Sequence, residues 1–226
     1  MVATPIGNLR DLSFRALDIL NEVDLILCED TRKSRILFNE FNIMTKYDSL
    51  HEFTSFKNIE KYVSFLEEGN SIALISDAGT PLISDPGFEI VKIAKEKNIF
   101  VNPLPGRSSV ISALVGSGLK IDKFIFEGFP PRKKQELENY LKCYLYEERT
   151  IVLFESPRRI KKLVQSVTDI LGKDRNVTLA KEISKPHQKF ISGSSQSILN
   201  QIKKDKNLEK GEIVFLIEGT KEKSSI

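Results

Sequence analysis

Short runs rich in β-branched residues alternate along the chain with segments of helical period. That alternation confines the fold to an α/β sheet structure and excludes a helical bundle or a β-sandwich. The candidate strands are DLILCED, SIALISD, IFVNPLP, KFIFEGF, TIVLFES, NVTLAKEI, KFISGS and EIVFLIEG. Between them lie amphipathic stretches such as FKNIEKYVSFLEEG, in which Ile59, Val63 and Leu66 share one face and Gly69 supplies a stop. The strands are continuous apolar runs, as expected of strands covered by helices on both faces.

Around GSGLKIDK, residues 116 to 123, a small-residue helix gives way to a polar connector and the rhythm restarts. The expected domains are therefore residues 1 to 118 and 119 to 226. In the last third, NVTLAKEISKPHQKFISGS sets two strands close together, so the second sheet is expected to be mixed, with antiparallel pairs. The polar tail TKEKSSI is expected to fray. Met1 leads directly into VATP, which makes the first strand very short or starts it upstream.

No apolar run approaches the roughly 18 residues that span a bilayer, and the chain opens without a basic, apolar leader, so it reads as cytoplasmic. Cys28, Cys143, His51 and His187 show no metal-ligand spacing, and neither a metal nor a disulfide is expected. Both cysteines read as buried apolar positions, and His187, beside Pro186, as a loop residue.

The net charge is only +3 over 226 residues, yet cations gather directly after strands. They are Arg32, Lys33 and Arg35 in EDTRKSR, Arg132, Lys133 and Lys134 in PPRKKQE, and Arg158, Arg159, Lys161 and Lys162 in SPRRIKK. Each cluster is a helix start; in ESPRR, Ser156 is expected to cap and Pro157 to open the helix. Cations in a first turn oppose the helix dipole. Because open α/β sheets bind ligands beyond the carboxyl ends of their strands, such clusters point to an anionic partner. The alternative is a solvated basic surface.

ISDAGTPLISDPG, residues 75 to 87, ends a strand in two acidic glycine turns. Aspartates spoil a phosphate cradle, and the chain has neither GxGxxG nor GxxxxGK[ST]. Carboxylates beside glycines suit a ligand offering hydroxyls, an amine or a positive centre, and S-adenosylmethionine offers all three. Pro81 and Pro86 stiffen the loop, while Gly79 and Gly87 let it turn or approach a ligand. Alternatively, Asp77 and Asp85 cap turns and the helix that begins near Pro86.

In chain order, VATPIGNLRDLSFRAL, CEDTRKS, SDAGTPLISDPG, PLPGRSS, FEGFPPRK, FESPRR and KEISKPH resemble the motifs of the ribosomal RNA small subunit methyltransferase I family, a branch of the tetrapyrrole methylase superfamily. The resemblance implies a class III methyltransferase: two αβα domains with mixed sheets, S-adenosylmethionine in a cleft between them, and a homodimer. It implies 2′-O-methylation of a cytidine in 16S rRNA of the small ribosomal subunit. Carried over by motif, the cofactor-binding residues are Pro5, Ser76, Asp77, Ala78, Gly79, Thr80, Pro81, Ile83, Ser84, Pro105, Gly106, Ser108, Gly128 and Phe129. Arg32, Lys33, Arg35, Arg132, Lys133, Lys134, Arg158 and Arg159 are the candidate RNA-binding residues. The chain departs from the family at Arg107, where proline is common, at Lys181, where arginine is common, and in its clipped first strand.

A ribose 2′-hydroxyl is a weak nucleophile at neutral pH, so a nearby base helps. Asp30, Glu29 and Asp85 are the candidates, with Asp30 favoured because it follows a strand and precedes Arg32. The alternative makes Glu29 and Asp30 caps paired with Arg32 or Arg35. Lys181, Glu182 and Lys185 are further candidates, or residues of a surface strand. The rival functions are a methylase of a tetrapyrrole or another small substrate, and a ribosome-binding assembly factor without turnover.

Overall fold

The computed structural model describes residues 1 to 220. The chain divides into two compact units, Met1–Ser108 and a second from Ser109 onward.

The first unit is built on a parallel three-stranded sheet of order β2-β1-β3, from β1 (Leu25–Cys28), β2 (Tyr47–Ser49) and β3 (Ile72–Leu74). Side chains alternate across it. Ile26, Cys28 and Ala73 face α1 (Phe14–Glu22) and α2 (Thr31–Glu40), packing with Ala16, Leu20 and Phe38. Leu27 and Leu74 face the other way, onto Ile59 and Val63 of α3 (Phe56–Glu67) and Ile90 of α4 (Phe88–Glu96). This double coverage is why the strands read as unbroken apolar runs.

Met1 and Val2 extend the sheet without forming a regular strand. Val2 N–H donates to Leu74 O at 2.9 Å, and Leu104 N–H donates to Met1 O at 2.9 Å. IFVNPLP, expected as a strand, makes only such isolated bonds, because Pro103 and Pro105 have no N–H to contribute to a ladder. Conversely, β2 has the sequence YDS and was missed; it is a short, mostly exposed edge strand without an apolar run.

The second unit carries a mixed five-stranded sheet of order β4-β5-β8-β6-β7. Its strands are β4 (Phe124–Phe126), β5 (Thr150–Glu155), β6 (Asn176–Lys181), β7 (Lys189–Ser194) and β8 (Ile213–Ile217). β4 and β5 are parallel; β8 is antiparallel to both β5 and β6, and β7 to β6. The antiparallel pairs anticipated from the last third of the sequence are therefore present. One face packs on α6 (Lys134–Lys142), α7 (Ile160–Ile170) and α8 (Ser195–Lys204) through Leu137, Leu141, Leu163, Val167 and Ile198.

The opposite face is covered by α5 (Ser109–Ser117), whose Val110, Ala113 and Leu114 meet Val152, Ala180, Val214 and Leu216. That packing places the division at residue 108 rather than at the expected 118: the small-residue helix belongs to the sheet that follows it. The tail from 221 to 226, expected to fray, lies outside the described residues. Among the described residues no helix is long and apolar enough to cross a membrane.

Gly116 of α5 sits against Phe190 of β7; a Cβ there would lie 2.5 Å from the ring. Gly116→Ala gains about 1 kcal/mol of helix propensity but overpacks this contact, and we expect a net loss of about 1–2 kcal/mol in urea unfolding. In a Phe190→Ala background the same substitution should become neutral or stabilising. Additive effects of the two changes would contradict the contact.

Candidate active site

Because β1, β2 and β3 are parallel, their carboxyl ends share one edge, and there the chain carries Glu29, Asp30, His51, Ser76 and Asp77. One side chain joins the loops. Asp77 Oδ1 accepts the Asp30 N–H at 3.1 Å, and its Oδ2 is 2.5 Å from Lys33 Nζ. Both oxygens are thus engaged by the β1–α2 connection. Asp30 is the N-cap of α2: its Oδ1 accepts the Arg32 N–H at 2.9 Å and the Arg32 Nε–H at 3.0 Å, while Nη2 reaches Oδ2 at 2.7 Å.

The acidic loop is held in a strained path. Leu82 and Ser84 have φ of +74° and +66°, in the left-handed region that residues other than glycine seldom adopt. Gly79, at φ +86°, forms an antiparallel bridge with Thr4, and a Cβ on it would come within 3.2 Å of Ile6. Ser76 is buried and its Oγ donates to Gly79 O at 3.3 Å, while Thr4 Oγ1 donates to Ser76 O at 3.1 Å.

The 105–108 segment joins them. Thr80 Oγ1 donates to Arg107 O at 3.0 Å, Gly106 lies against Ala3, and Arg107 Nε donates to Asp11 O at 3.0 Å. Three segments far apart in sequence are thereby brought together: Pro5 in the first loop, residues 76 to 84, and Pro105, Gly106 and Ser108. Arg107 thus anchors this segment to Asp11.

The carboxylates at this edge differ sharply. Hydrogen bonds from Arg32 hold Asp30 down at about 2. Burial pushes Asp85 up to about 6, with the charges of Glu29 and Asp77 adding to it against a hydrogen bond with Ser76. Burial, then the charge of Asp77, also raises Glu29. A group near 2 is a poor proton acceptor at neutral pH. Glu29 and Asp85 instead line a cavity of about 420 Å³ with His51, Thr54, Ser84 and Phe88. A larger cavity of about 900 Å³ opens where β1 and β2 begin, around Asp24, Thr45 and Lys46, at the wrong end of a parallel sheet for a ligand.

Residues 1–199 match the model of the Tetrapyrrole (Corrin/Porphyrin) Methylases. The chain is 41% identical over 221 residues to ribosomal RNA small subunit methyltransferase I of Escherichia coli O157:H7, covering 98% of this chain and 77% of that protein. With the protein of the same name from Thermotoga maritima it shares 43% over 219 residues, 97% of each chain. The chain belongs to the ribosomal RNA small subunit methyltransferase I family of tetrapyrrole methylases.

The fold agrees. A cobalt precorrin-4 methyltransferase superposes with a TM-score of 0.67 at 16% identity, over 96% of this chain and 92% of that one. Uroporphyrin-III C-methyltransferase from Thermus thermophilus, solved with S-adenosyl homocysteine, gives 0.64 at 13% identity, over 96% and 95%. In this methyltransferase I family member the second unit has its own ligand-type edge. β4, β5 and β6 run the same way, so Gly128 and Phe129, the 130–134 loop, Ser156 to Arg159 and Glu182 all follow strand carboxyl ends at that edge. Phe129 is exposed and its ring sits 5.5 Å from that of Phe154.

The predicted RNA-binding cations separate into two kinds. Arg32 and Lys33 pair with Asp30 and Asp77, and Arg159 with the buried Glu155 at 3.0 Å; Arg35, Arg132 and Arg158 are exposed. Lys133 and Lys134, also exposed, make surface pairs with Glu136 and Glu138. α7 begins at Ile160 with Arg159 as its cap, not at Pro157, because residues 157 to 159 form a preceding turn closed on Ser156 O. Lys181 is buried in an interior strand, its Nζ 2.5 Å from Asn207 O, so it is not a surface-strand residue. Glu182, at φ +51°, binds Lys185 at 3.1 Å. Cys28 is buried as expected, but Cys143, at the end of α6, is exposed. His51 and Thr54 were missed because the polar β2 that delivers them gave no strand signal.

Asp77→Ala removes the acceptor of the Asp30 N–H and the partner of Lys33. We expect a loss of about 1–3 kcal/mol in urea unfolding. Asp77→Asn, which keeps one acceptor, should recover part of it.

Proposed function

We propose that the chain transfers a methyl group from S-adenosylmethionine to the 2′-oxygen of a cytidine in 16S rRNA of the small ribosomal subunit, acting in the cytoplasm as a homodimer. The supporting observation is the acidic loop: a strained, phosphate-averse turn on the ligand edge of a parallel sheet. It occurs in a chain 41–43% identical to relatives named for this ribosomal RNA activity. A loop with carboxylates and closely packed glycines fits a cofactor that has hydroxyls and positive groups but no phosphate.

Pro5, Ser76, Ala78, Gly79, Thr80, Pro81, Ile83, Ser84, Pro105, Gly106 and Ser108 would hold it. When bound, S-adenosylmethionine supplies an electrophilic methyl group on a sulfonium. Asp85 accepts the 2′-hydroxyl proton as the oxygen–carbon bond forms and the sulfur–carbon bond breaks. Burial keeps that carboxylate basic, and the charge of Glu29 adds to it. Asp30 and Asp77 hold the loops in place. Arg35, Arg132 and Arg158 meet phosphates. Methyl transfer of this kind to a ribose hydroxyl needs positioning above all, which rigid loops provide.

Primer extension on unmodified small subunits incubated with the protein and labelled cofactor should show a single ribose stop on 16S rRNA. Label confined to a base would exclude 2′-O transfer, and no label with intact cofactor binding would favour an assembly factor. Sedimentation of the free protein at the mass of one chain would remove the homodimer from the proposal.

The base assignment has its own test. The rate under saturating cofactor should fall about tenfold per pH unit below about pH 6, where Asp85 becomes protonated. Asp85→Asn should lower kcat by roughly 10²–10⁴-fold, whereas Asp30→Asn, which keeps a good cap, should stay within a few-fold of wild type. Because folding raises the Asp85 value above 3.8, its contribution favours the folded state below that pH and is lost as pH rises to about 6. Asp85→Asn should therefore stabilise the protein at neutral pH, by roughly 1 kcal/mol once solvent screening of a half-buried group is allowed for.

A further inference from the structure

We propose that Glu155 and Arg159 are positioning residues that fix the 130–132 loop so that Arg132 meets a phosphate of the RNA, and that Arg159 itself does not touch RNA. The proposal rests on the reading of this edge as the ribosomal RNA contact. It reassigns a cation that the sequence groups with its neighbours.

Three consecutive carbonyls of the loop are gripped from the start of α7. Arg159 Nη2 donates to Pro130 O at 2.8 Å and to Pro131 O at 3.2 Å, and Lys162 Nζ donates to Arg132 O at 3.0 Å. Proline has no N–H, so at residues 130 and 131 the loop backbone can be fastened only by donors supplied from elsewhere. Arg159 and Lys162, three apart on one helix face, supply them.

Glu155 is the last residue of β5, and its side chain is only 1% exposed. Its Oε1 accepts the Ser156 N–H at 2.7 Å, which pins the carboxylate, and its Oε2 lies 3.0 Å from Arg159 Nη2. A buried carboxylate is tolerated when a cation and hydrogen bonds compensate it, and removing one partner leaves the other uncompensated. The result is a chain of constraint from β5 through Glu155 and Arg159 to the loop. Arg159 is 25% exposed, while Arg132 projects from the surface with no acidic partner among the described residues. The neighbouring Lys133 and Lys134 share their charge with Glu136 and Glu138.

Charge at Arg159 is therefore less important than shape. One nitrogen at the tip of the guanidinium, Nη2, reaches the Glu155 carboxylate and two carbonyls at once. A lysine keeps the charge that Glu155 requires but is shorter and differently shaped, so its nitrogen misses that point, and Arg159→Lys separates loop positioning from simple charge balance.

The experiment is a double-mutant cycle on methylation of unmodified small subunits, using Arg159→Lys, Arg132→Ala and the two combined. Each single change should raise KM for the subunit about tenfold, with kcat within about twofold and affinity for S-adenosylmethionine unchanged. The double variant should be no worse than Arg132→Ala alone, because Arg159 acts through Arg132. Each variant should also lower the slope of log affinity against log salt by about 0.7–0.9, the value of one phosphate contact, and the double by no more than that. Glu155→Gln, which keeps the Ser156 hydrogen bond, should reproduce the KM increase.

Multiplying effects would show that Arg159 meets RNA independently and overturn the proposal. Equal damage to kcat, KM and cofactor affinity would also overturn it, leaving a purely structural role. An unchanged KM in Arg132→Ala, with 2′-O-methylation intact in the wild type, would remove this loop from the RNA surface and the proposal with it, without touching the assignment of the reaction.

Discussion

The carboxylate of Asp77 is the constraint on which the first unit's ligand edge depends. Parallel strands leave their backbone groups unpaired where the chain departs from the sheet, and here one side chain closes two departures at once, taking the Asp30 N–H and the Lys33 ammonium. That tie sets the entry to α2 and the start of the acidic loop together. It also sorts the charges. Asp30 and Asp77 find cations, whereas burial first, and the charges of their neighbours second, make Glu29 and Asp85 hold their protons more tightly.

The same device appears in the second unit. EDTRK and ESPRR each place a carboxylate where a strand ends and a cation just beyond, at the start of a helix. In both, the cation turns back onto the carboxylate: Arg32 onto Asp30 and Arg159 onto Glu155. A cation at a helix start opposes the dipole, and a local carboxylate offsets that opposition. Arg159 also grips the 130–131 loop, whereas Arg32 stays 88% exposed beside its cap. Arg35, Arg132 and Arg158 are exposed as well.

The strands with apolar faces were legible because double coverage by helices writes an apolar run into the chain. β2 and IFVNPLP escaped for opposite reasons. The first is polar because it is a mostly exposed edge, and the second is apolar but deprived of donors by its prolines. The sequence points to a division at residue 118 and not at 108 because local composition marks where a helix ends, not which sheet it covers; Val110, Ala113 and Leu114 answer that only through their contacts. The cofactor segments were recognisable as motifs, whereas the convergence of Thr4, Gly79, Thr80 and Arg107 is a matter of space.

By itself the sequence determined the α/β class, the mixed second sheet, the acidic loop and the family, because hydrophobic period and motif order are written along one dimension. Which carboxylates are paired with cations, and which arginine grips a loop, was decided only by the tertiary structure. Glu29, Asp30, Asp77 and Asp85 are chemically alike in the chain, and so are Arg158 and Arg159. They become different through burial and through the partner each one reaches, and both depend on residues that folding brings in from elsewhere in the chain.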